Sequence, residues 1–366
     1  MSPARRAAPA LLLSCLQALY APACRPGAAG ELDAFTPWQP AESPAPAPAE
    51  SPAPAPAAVR SVSRGDSLGV PPSPPSVSCD FVTAGSFDGK PVAPALAAMN
   101  GGRIVNIIPS RKSGRTVKVT LLLEPAWRVF FKPRHRVHLF TRPQGEVGAF
   151  RLNRMLGMNH VPPAVVRILD GSVIHSAFKR HAPPERLEQL EREVLSESSD
   201  EMTGALLLWA DDGWVFEPTG ALLGKLARPE ARLTPREQAL VWDLTWMFIL
   251  DHLTNNYDRF TGGNILRRKD GRLLFIDNGA AFGPEQDWKA ERRRGRLKYL
   301  ARHSPVVTLA LRRLEARVMA ACAGDVLTAR DIDGVLARRD ELVAHFDRLA
   351  RDCPEKCRLT LELEAP

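Results

Sequence analysis

From residue 103 onward the chain alternates between short apolar runs and polar breaks. Residues 103–108 and 116–123 are rich in Val, Ile, Leu and Thr, which suit a pleated, half-buried surface, and they predict two strands. Residues 110–115 between them carry Ser, Arg, Lys and Gly and predict a hairpin loop. Residues 127–132 predict a third strand. Val147, Phe150, Leu152, Met155 and Leu156 recur near helical spacing and predict a helix over 145–156, stopped by Val161-Pro162-Pro163. Residues 164–169 predict a further strand, with 173–178 as a candidate partner strand. Residues 185–196 predict a charged helix, and 204–209 form an apolar run before a polar loop. Thr234-Pro235-Arg236-Glu237 has the form of a capping box with Pro in the first turn, and the helix it opens is apolar from Leu240 through Leu253. A short strand over 273–276 leads into Asp277-Asn278-Gly279, and 285–350 read as mostly helical. Strands with one helix first, then helices, predict an α+β architecture with a small β-rich lobe stacked on a larger α-rich lobe.

The first 80 residues follow a different rule. Many of the chain's 33 prolines crowd there, and residues 41–56 are one eight-residue unit, Ala-Glu-Ser-Pro-Ala-Pro-Ala-Pro, written twice. Alternating Pro fixes φ and removes backbone donors, so neither helix nor sheet forms. The reading is an extended tether over residues 24–80, about 3.1 Å per residue. Ahead of it, Arg5 and Arg6, the apolar stretch 7–21 and Ala21-Pro22-Ala23 read as a signal peptide over residues 1–23. Cys24 then stands where a bacterial lipoprotein carries its lipidated Cys. Leu12-Leu13-Ser14-Cys15 also fits that pattern but leaves a very short signal. Membrane anchoring through Cys24 and simple secretion are the two alternatives. Cutting before Cys24 leaves Cys79, Cys322, Cys353 and Cys357, an even set suited to disulfides in an oxidising compartment, with three pairings open. The expected organisation is signal 1–23, tether 24–80, N-lobe and interlobe segment 81–209, and C-lobe 210–366, in an exported, periplasmic or cell-surface protein. No segment reaches about 18 uninterrupted apolar residues, so no transmembrane helix is expected.

Charge adds one feature. The net charge is +8, and residues 289–298 hold six basic residues and one acid, Glu291. Such a run is ordinarily a solvated helix face; it can also meet anionic lipid or an acidic substrate. No interleaved aromatics and no zinc-ligand spacing of the nucleic-acid-binding kind accompany it, so no nucleic-acid partner is expected.

Five polar residues sit at the ends of these elements. Lys132 ends an apolar strand, and Glu146 follows fourteen residues later in the first turn of a helix. A strand Lys and a helix Glu can pair and aim the ammonium at phosphate. Asp258 follows the long apolar helix, Asn264 lies six residues further, and Asp277 follows a strand. Two acids and an Asn are oxygen ligands for a hard cation, and one acid can instead take a proton from a hydroxyl. Singly, each has a plain reading: a solvated strand-end Lys, a surface Asp-Arg pair, an Asp-Asn-Gly turn. In this order they reproduce the sequence of parts in protein kinases. The Gly-rich consensus is missing, and residues 110–114 are the candidate phosphate-covering loop.

The flanking strings carry a narrower resemblance. Phe131-Lys132-Pro133, the stretch from Gly145 to Leu156, and Val161-Pro162-Pro163 resemble the atypical secretory-pathway kinases, the group of the Golgi casein kinase, the xylose kinase and the four-jointed kinases. Asp251-His252-Leu253-Thr254-Asn255-Asn256-Tyr257-Asp258-Arg259 and Phe275-Ile276-Asp277-Asn278-Gly279 match the same group, which carries Asp-Asn-Gly where other kinases have Asp-Phe-Gly. Gly204-Ala205-Leu206-Leu207 resembles its interlobe segment. The chain thus reads as an exported, bacterial-type relative. The resemblance implies a two-lobed kinase fold and transfer of the γ-phosphoryl of ATP, with Mn²⁺ or Mg²⁺, to a protein Ser/Thr or glycan hydroxyl. It implies Lys132 on the phosphates, Glu146 orienting Lys132 or holding metal, Asp258 as catalytic base, Asp277 as metal ligand and Asn264 as a further ligand. Two departures stand out. Asn264 is six rather than five residues past the base, and Phe260 stands where several relatives have His. The alternatives are a pseudokinase or nucleotide-binding module, and a lipid or small-molecule kinase of related fold.

Overall fold

A five-stranded antiparallel sheet carries the first half of the site. In a computed structural model of the protein, residues 77–110, 116–138, 142–195, 201–211, 213–260 and 263–359 are described. The expected signal peptide, Cys24, nearly all of the tether and most of the phosphate-covering loop lie outside these residues. Residues 77–80, read from sequence as the tether's end, are part of the fold: Asp80 opens a short helix and Cys79 is in a disulfide.

The sheet order is Ile104–Pro109, Val119–Leu123, Trp127–Pro133, Glu201–Leu208, Ala164–Asp170. Along Trp127–Pro133 side chains alternate between the two faces. Val129 and Phe131 are fully buried in the core, which turns Phe130 and Lys132 to the other face. Lys132 pairs with Ala205 and Pro133 with Gly204. A Cβ on Gly204 would lie 2.3 Å from the Phe131 ring and 2.6 Å from the Lys132 carbonyl, so only glycine admits this pairing.

The predicted strand over 173–178 is a helix, Gly171–His181. Asp170 decides this locally, because its carboxylate accepts the Ser172 N–H at 2.8 Å and satisfies an orphan donor of the first turn. Ile174, Ala177 and Phe178, at i, i+3 and i+4, then share one buried face. Glu201–Leu208 takes the place beside Ala164–Asp170 that the sequence reading gave to 173–178.

Below the sheet lies the helical part. The Thr234–Glu237 capping box is present, and Pro235–Thr254 runs for 20 residues, buried almost all round from Leu240. Asn255 ends it in the left-handed region at φ 54°, a conformation Asn tolerates, and so turns the chain into the loop that carries Asp258. A small sheet, Leu273–Phe275, Ile265–Arg268 and Gly213–Val215, presents Asp277 just past its end. Helices Asp287–Gly295, Pro305–Arg312, Ala316–Ala323 and Ala329–Asp352 complete the part. Among the described residues no helix is long and apolar enough to cross a membrane.

Of the three possible pairings the structure has Cys79–Cys322 and Cys353–Cys357. The first closes a loop with a sequence separation of 243. Chain entropy alone assigns a loop of this size on the order of 5–6 kcal/mol. The Cys79→Ser/Cys322→Ser double variant is therefore expected to unfold at clearly lower urea than the parent. Equal midpoints would show that the crosslink does not constrain the unfolded chain.

Candidate active site

The Pro143–Met155 helix brings Glu146 to the sheet. Its first turn is pressed on the segment after Asp277: a Cβ on Gly145 would lie 2.7 Å from the Asn278 carbonyl oxygen and 3.0 Å from that of Gly279. Glu146 is 2% exposed, and both of its oxygens are used. Oε1 accepts from Lys132 Nζ at 2.6 Å, and Oε2 accepts the Asn278 N–H at 3.0 Å. A buried carboxylate needs this full complement, because an unmet charge there costs several kcal/mol.

Lys132 Nζ also donates to Asp277 Oδ1 at 3.0 Å, so one ammonium joins the two acids. Lys118 Nζ stands 3.7 Å from Asp277 Oδ2. Burial works against the Lys132 charge, but Asp277 and Glu146 outweigh it and hold its pKa above the ordinary lysine value. Lys132 draws the Asp277 pKa down to about 2 against the opposing effect of burial, with Lys118 adding to the fall. Asp277 occupies the left-handed region at φ 58°, strain that a surrounding network has to hold in place.

Arg259 is the centre of that network and has no exposed side-chain surface. Nε and Nη2 donate to Asp251 at the end of the long helix, at 3.1 and 2.9 Å. Nη1 donates to the carbonyls of Asn264 at 3.1 Å and Ile276 at 2.7 Å, and Nη2 donates to Asn278 Oδ1 at 2.6 Å. It therefore holds the residues on both sides of Asp277. Asp258, half-buried, is held through its backbone: its N–H donates to Asn256 Oδ1, and its carbonyl accepts from Asn264 Nδ2, both at 3.0 Å.

A cleft lies beside Lys132, Asn264 and Asp277. Phe130, Pro162, Leu208, Leu266 and Ile276 give it an apolar slot, and Lys118, Lys132, Asn264 and Asp277 line its polar end. Trp209 and Ala210, just past the apolar run that resembles an interlobe segment, also line it.

The structure thus joins Lys132, Glu146 and Asp277 by direct contact and puts Asn264 on the same cleft as Asp277. Asp258 connects through Asn264 and its neighbour Arg259. Sequence reasoning missed Lys118, whose only signal is a cation at the head of a strand facing the Lys132 strand. The plain reading of Asp258-Arg259 as a surface pair does not hold for Arg259. The basic run is only partly a solvated face. Lys289 and Arg293 are buried. Arg293 donates to Asn255 Oδ1 at 3.2 Å, and Arg296 to the carbonyls of Asn256 at 3.1 Å and Tyr257 at 3.2 Å. Positions 289, 293 and 296 follow a helical face, so this side of the run braces the Asp258 loop, while Glu291, Arg292 and Arg294 face solvent.

Sheet, Glu146 helix, interlobe cleft and helical base define a two-lobed, protein-kinase-like α+β fold. The fold is shared with the crystal structure of the Golgi casein kinase with Mn/ADP bound, at a TM-score of 0.53 and 15% identity, covering 75% of this chain and 80% of that one. It is shared with the structure of hydra Fam20 with sugar at 0.53 and 16%, covering 77% and 98%. In sequence the chain is 26% identical over 218 residues to the human glycosaminoglycan xylosylkinase and 26% identical over 216 residues to the zebrafish (Danio rerio) protein of that name. Each match covers 46% of this chain and 52% of the relative, so the chain spans about half the length of the curated relatives it matches. No protein-family profile matches the chain. The chain is thus similar in sequence, over about half of their length, to glycosaminoglycan xylosylkinases, and similar in fold to the Golgi casein kinase and Fam20 structures. The sequence relatives are human and zebrafish proteins and lend no support to a bacterial type.

Proposed function

We propose that the protein is an exported phosphotransferase that moves the γ-phosphoryl of ATP to a hydroxyl of a glycan or of a protein Ser/Thr. The observation that carries this is Lys132 held between Glu146 and Asp277 at the polar end of an apolar cleft. The apolar slot suits a purine, and Lys132 and Lys118 meet the phosphates. Glu146 would keep Lys132 pointed into the cleft if Asp277 were to hold a cation.

Asp277 and Asn264 offer oxygen donors on one wall of the cleft, the set that suits Mn²⁺ or Mg²⁺. Asn264 commits its amide nitrogen to Asp258, so its oxygen is the donor it presents to a cation. Such a cation, when bound, neutralises phosphate oxygens as charge builds during transfer. Asp258 accepts the proton of the attacking hydroxyl, and the Asn256, Asn264 and Arg296 contacts around its backbone fix where it stands. Two disulfides in the fold support an oxidising compartment. Lipidation of Cys24 rests on the sequence alone.

The test uses the purified full chain with ATP and Mn²⁺ or Mg²⁺ on a panel of glycans and Ser/Thr peptides. Phosphate should appear on a hydroxyl, and Asp258→Asn should lower turnover by roughly 10²–10⁴-fold with nucleotide affinity nearly unchanged. Nucleotide binding with no transfer to any acceptor would favour the pseudokinase instead.

A further inference from the structure

We propose a zinc site formed by His135, His138 and Glu193, separate from the nucleotide cleft. His135 and His138 lie in the stretch that leaves the Lys132 strand, and Glu193 ends the Pro184–Glu193 helix. One ligand atom from each of the three lies within 4.8 Å of the others. Glu193 Oε2 is 3.3 Å from His135 Nδ1 and 3.6 Å from His138 Nε2. Zinc holds N and O ligands tetrahedrally at about 2.0–2.2 Å, which separates neighbouring donor atoms by about 3.4 Å. The two Glu193–histidine separations match this within a few tenths of an ångström, and the two histidine donor atoms lie no more than 4.8 Å apart, a gap that rotation of the partly open His138 ring can close.

The surroundings fit as well. His135 and Glu193 are buried, while His138 is partly open, leaving one side for a water in the fourth position. Glu193 is oriented from behind: Oε1 accepts from Arg192 Nη2 at 2.9 Å, and its carbonyl accepts the Arg136 N–H at 2.8 Å. Such outer contacts hold a ligating carboxylate in place. Gln189 Nε2 also donates to Oε2 at 2.9 Å, and a carboxylate oxygen has a second lone pair for it. Two imidazoles and one carboxylate select zinc over the Mn²⁺ or Mg²⁺ expected at the all-oxygen set of Asp277 and Asn264.

The Val117 contact opposes the metal. Val117 N–H donates to His135 Nε2 at 3.1 Å, which puts the neutral ring's proton on Nδ1. Zinc on Nδ1 requires that proton to move to Nε2, with no net release, and Val117 to lose its acceptor. One such bond is a small loss beside a three-ligand zinc set. Binding would tie the end of the Lys132 strand to the Pro184–Glu193 helix. His135 also lines the recess shared by Lys132 and Glu146, so the brace would act close to the Lys132–Glu146 pair.

The test needs no catalysis and does not depend on the kinase reading. Untagged full chain, stripped with a chelator, is titrated with Zn²⁺ against a chromophoric zinc indicator. The expected result is one equivalent bound, with His138→Ala and Glu193→Gln each weakening it at least tenfold and Asp277→Asn leaving it unchanged. Co²⁺ in place of zinc should give the visible absorption of a tetrahedral site. Thermal melts identify any variant that fails to fold; partly open His138 is the safer of the two. No zinc uptake, or uptake indifferent to both substitutions, overturns the proposal and leaves a hydrogen-bonded His–Glu cluster.

Discussion

Asp277→Asn is expected to remove metal-dependent turnover, by about 10³-fold or more, while the protein stays folded. Lys132 and Lys118 keep the Asp277 carboxyl down to about 2, so it is an anion at any working pH. Asn keeps the shape and tolerates the left-handed backbone at φ 58°, whereas Ala adds strain there. What Asn lacks is the charge that, on the proposed function, would hold a cation. Electrostatic groups aimed at developing charge are commonly worth 10²–10³ each, and a lost metal ligand adds to that. The measurement is ATP turnover and nucleotide affinity across a Mn²⁺ titration. Turnover within tenfold of the parent would remove Asp277 from the metal role. The depressed pKa also fixes a sign. The stabilisation from ionised Asp277 is fully present above its ordinary pKa of 3.8 and is lost as pH falls through about 2, so Asp277 sets no acid limb near neutrality.

Arg259→Met is expected to destabilise the fold by roughly 3–5 kcal/mol, the range for leaving one member of a buried ion pair alone. Asp251 is 2% exposed and would keep only the Arg296 guanidinium, 3.9 Å away, against its charge, and the Ile276 and Asn264 carbonyls would lose a donor. Adding Asp251→Leu should recover a large share of the loss, because two apolar groups remove the unpaired charge. Turnover should stay low in the double variant, since the contacts around Asp277 are still gone. Urea midpoints for the single and double variants measure the first effect, and turnover of the folded double variant measures the second. A single variant within 1 kcal/mol of the parent would show that Arg259 does not hold this network together.

Much of the fold was legible because local rules and burial agree. The alternation in 119–123 and 127–133, the Thr234 capping box and the apolar stripe from Leu240 each satisfy backbone donors and the core at once. The 173–178 error has the opposite origin. Val173, Ile174 and Phe178 suit either a strand or one face of a helix, and the choice rests on one cap, Asp170 to Ser172, and on the neighbour that Glu201–Leu208 supplies.

The site divides the same way. Order along the chain singled out Lys132, Glu146, Asp258 and Asp277 as candidates, because each sits at the end of an element whose period is readable. The sequence also limited the disulfides to three pairings and placed a basic run at 289–298. Tertiary structure decided the rest. It chose Cys79 with Cys322 across 243 residues, buried Arg259 between four partners, brought Lys118 to Asp277, and turned Arg293 and Arg296 toward the Asp258 loop. All of these are contacts between segments far apart in sequence or hidden by loop geometry. Periodicity reports which face of an element is buried and nothing about what packs on it, so charges that pair across the fold look like surface charges until the chain is closed.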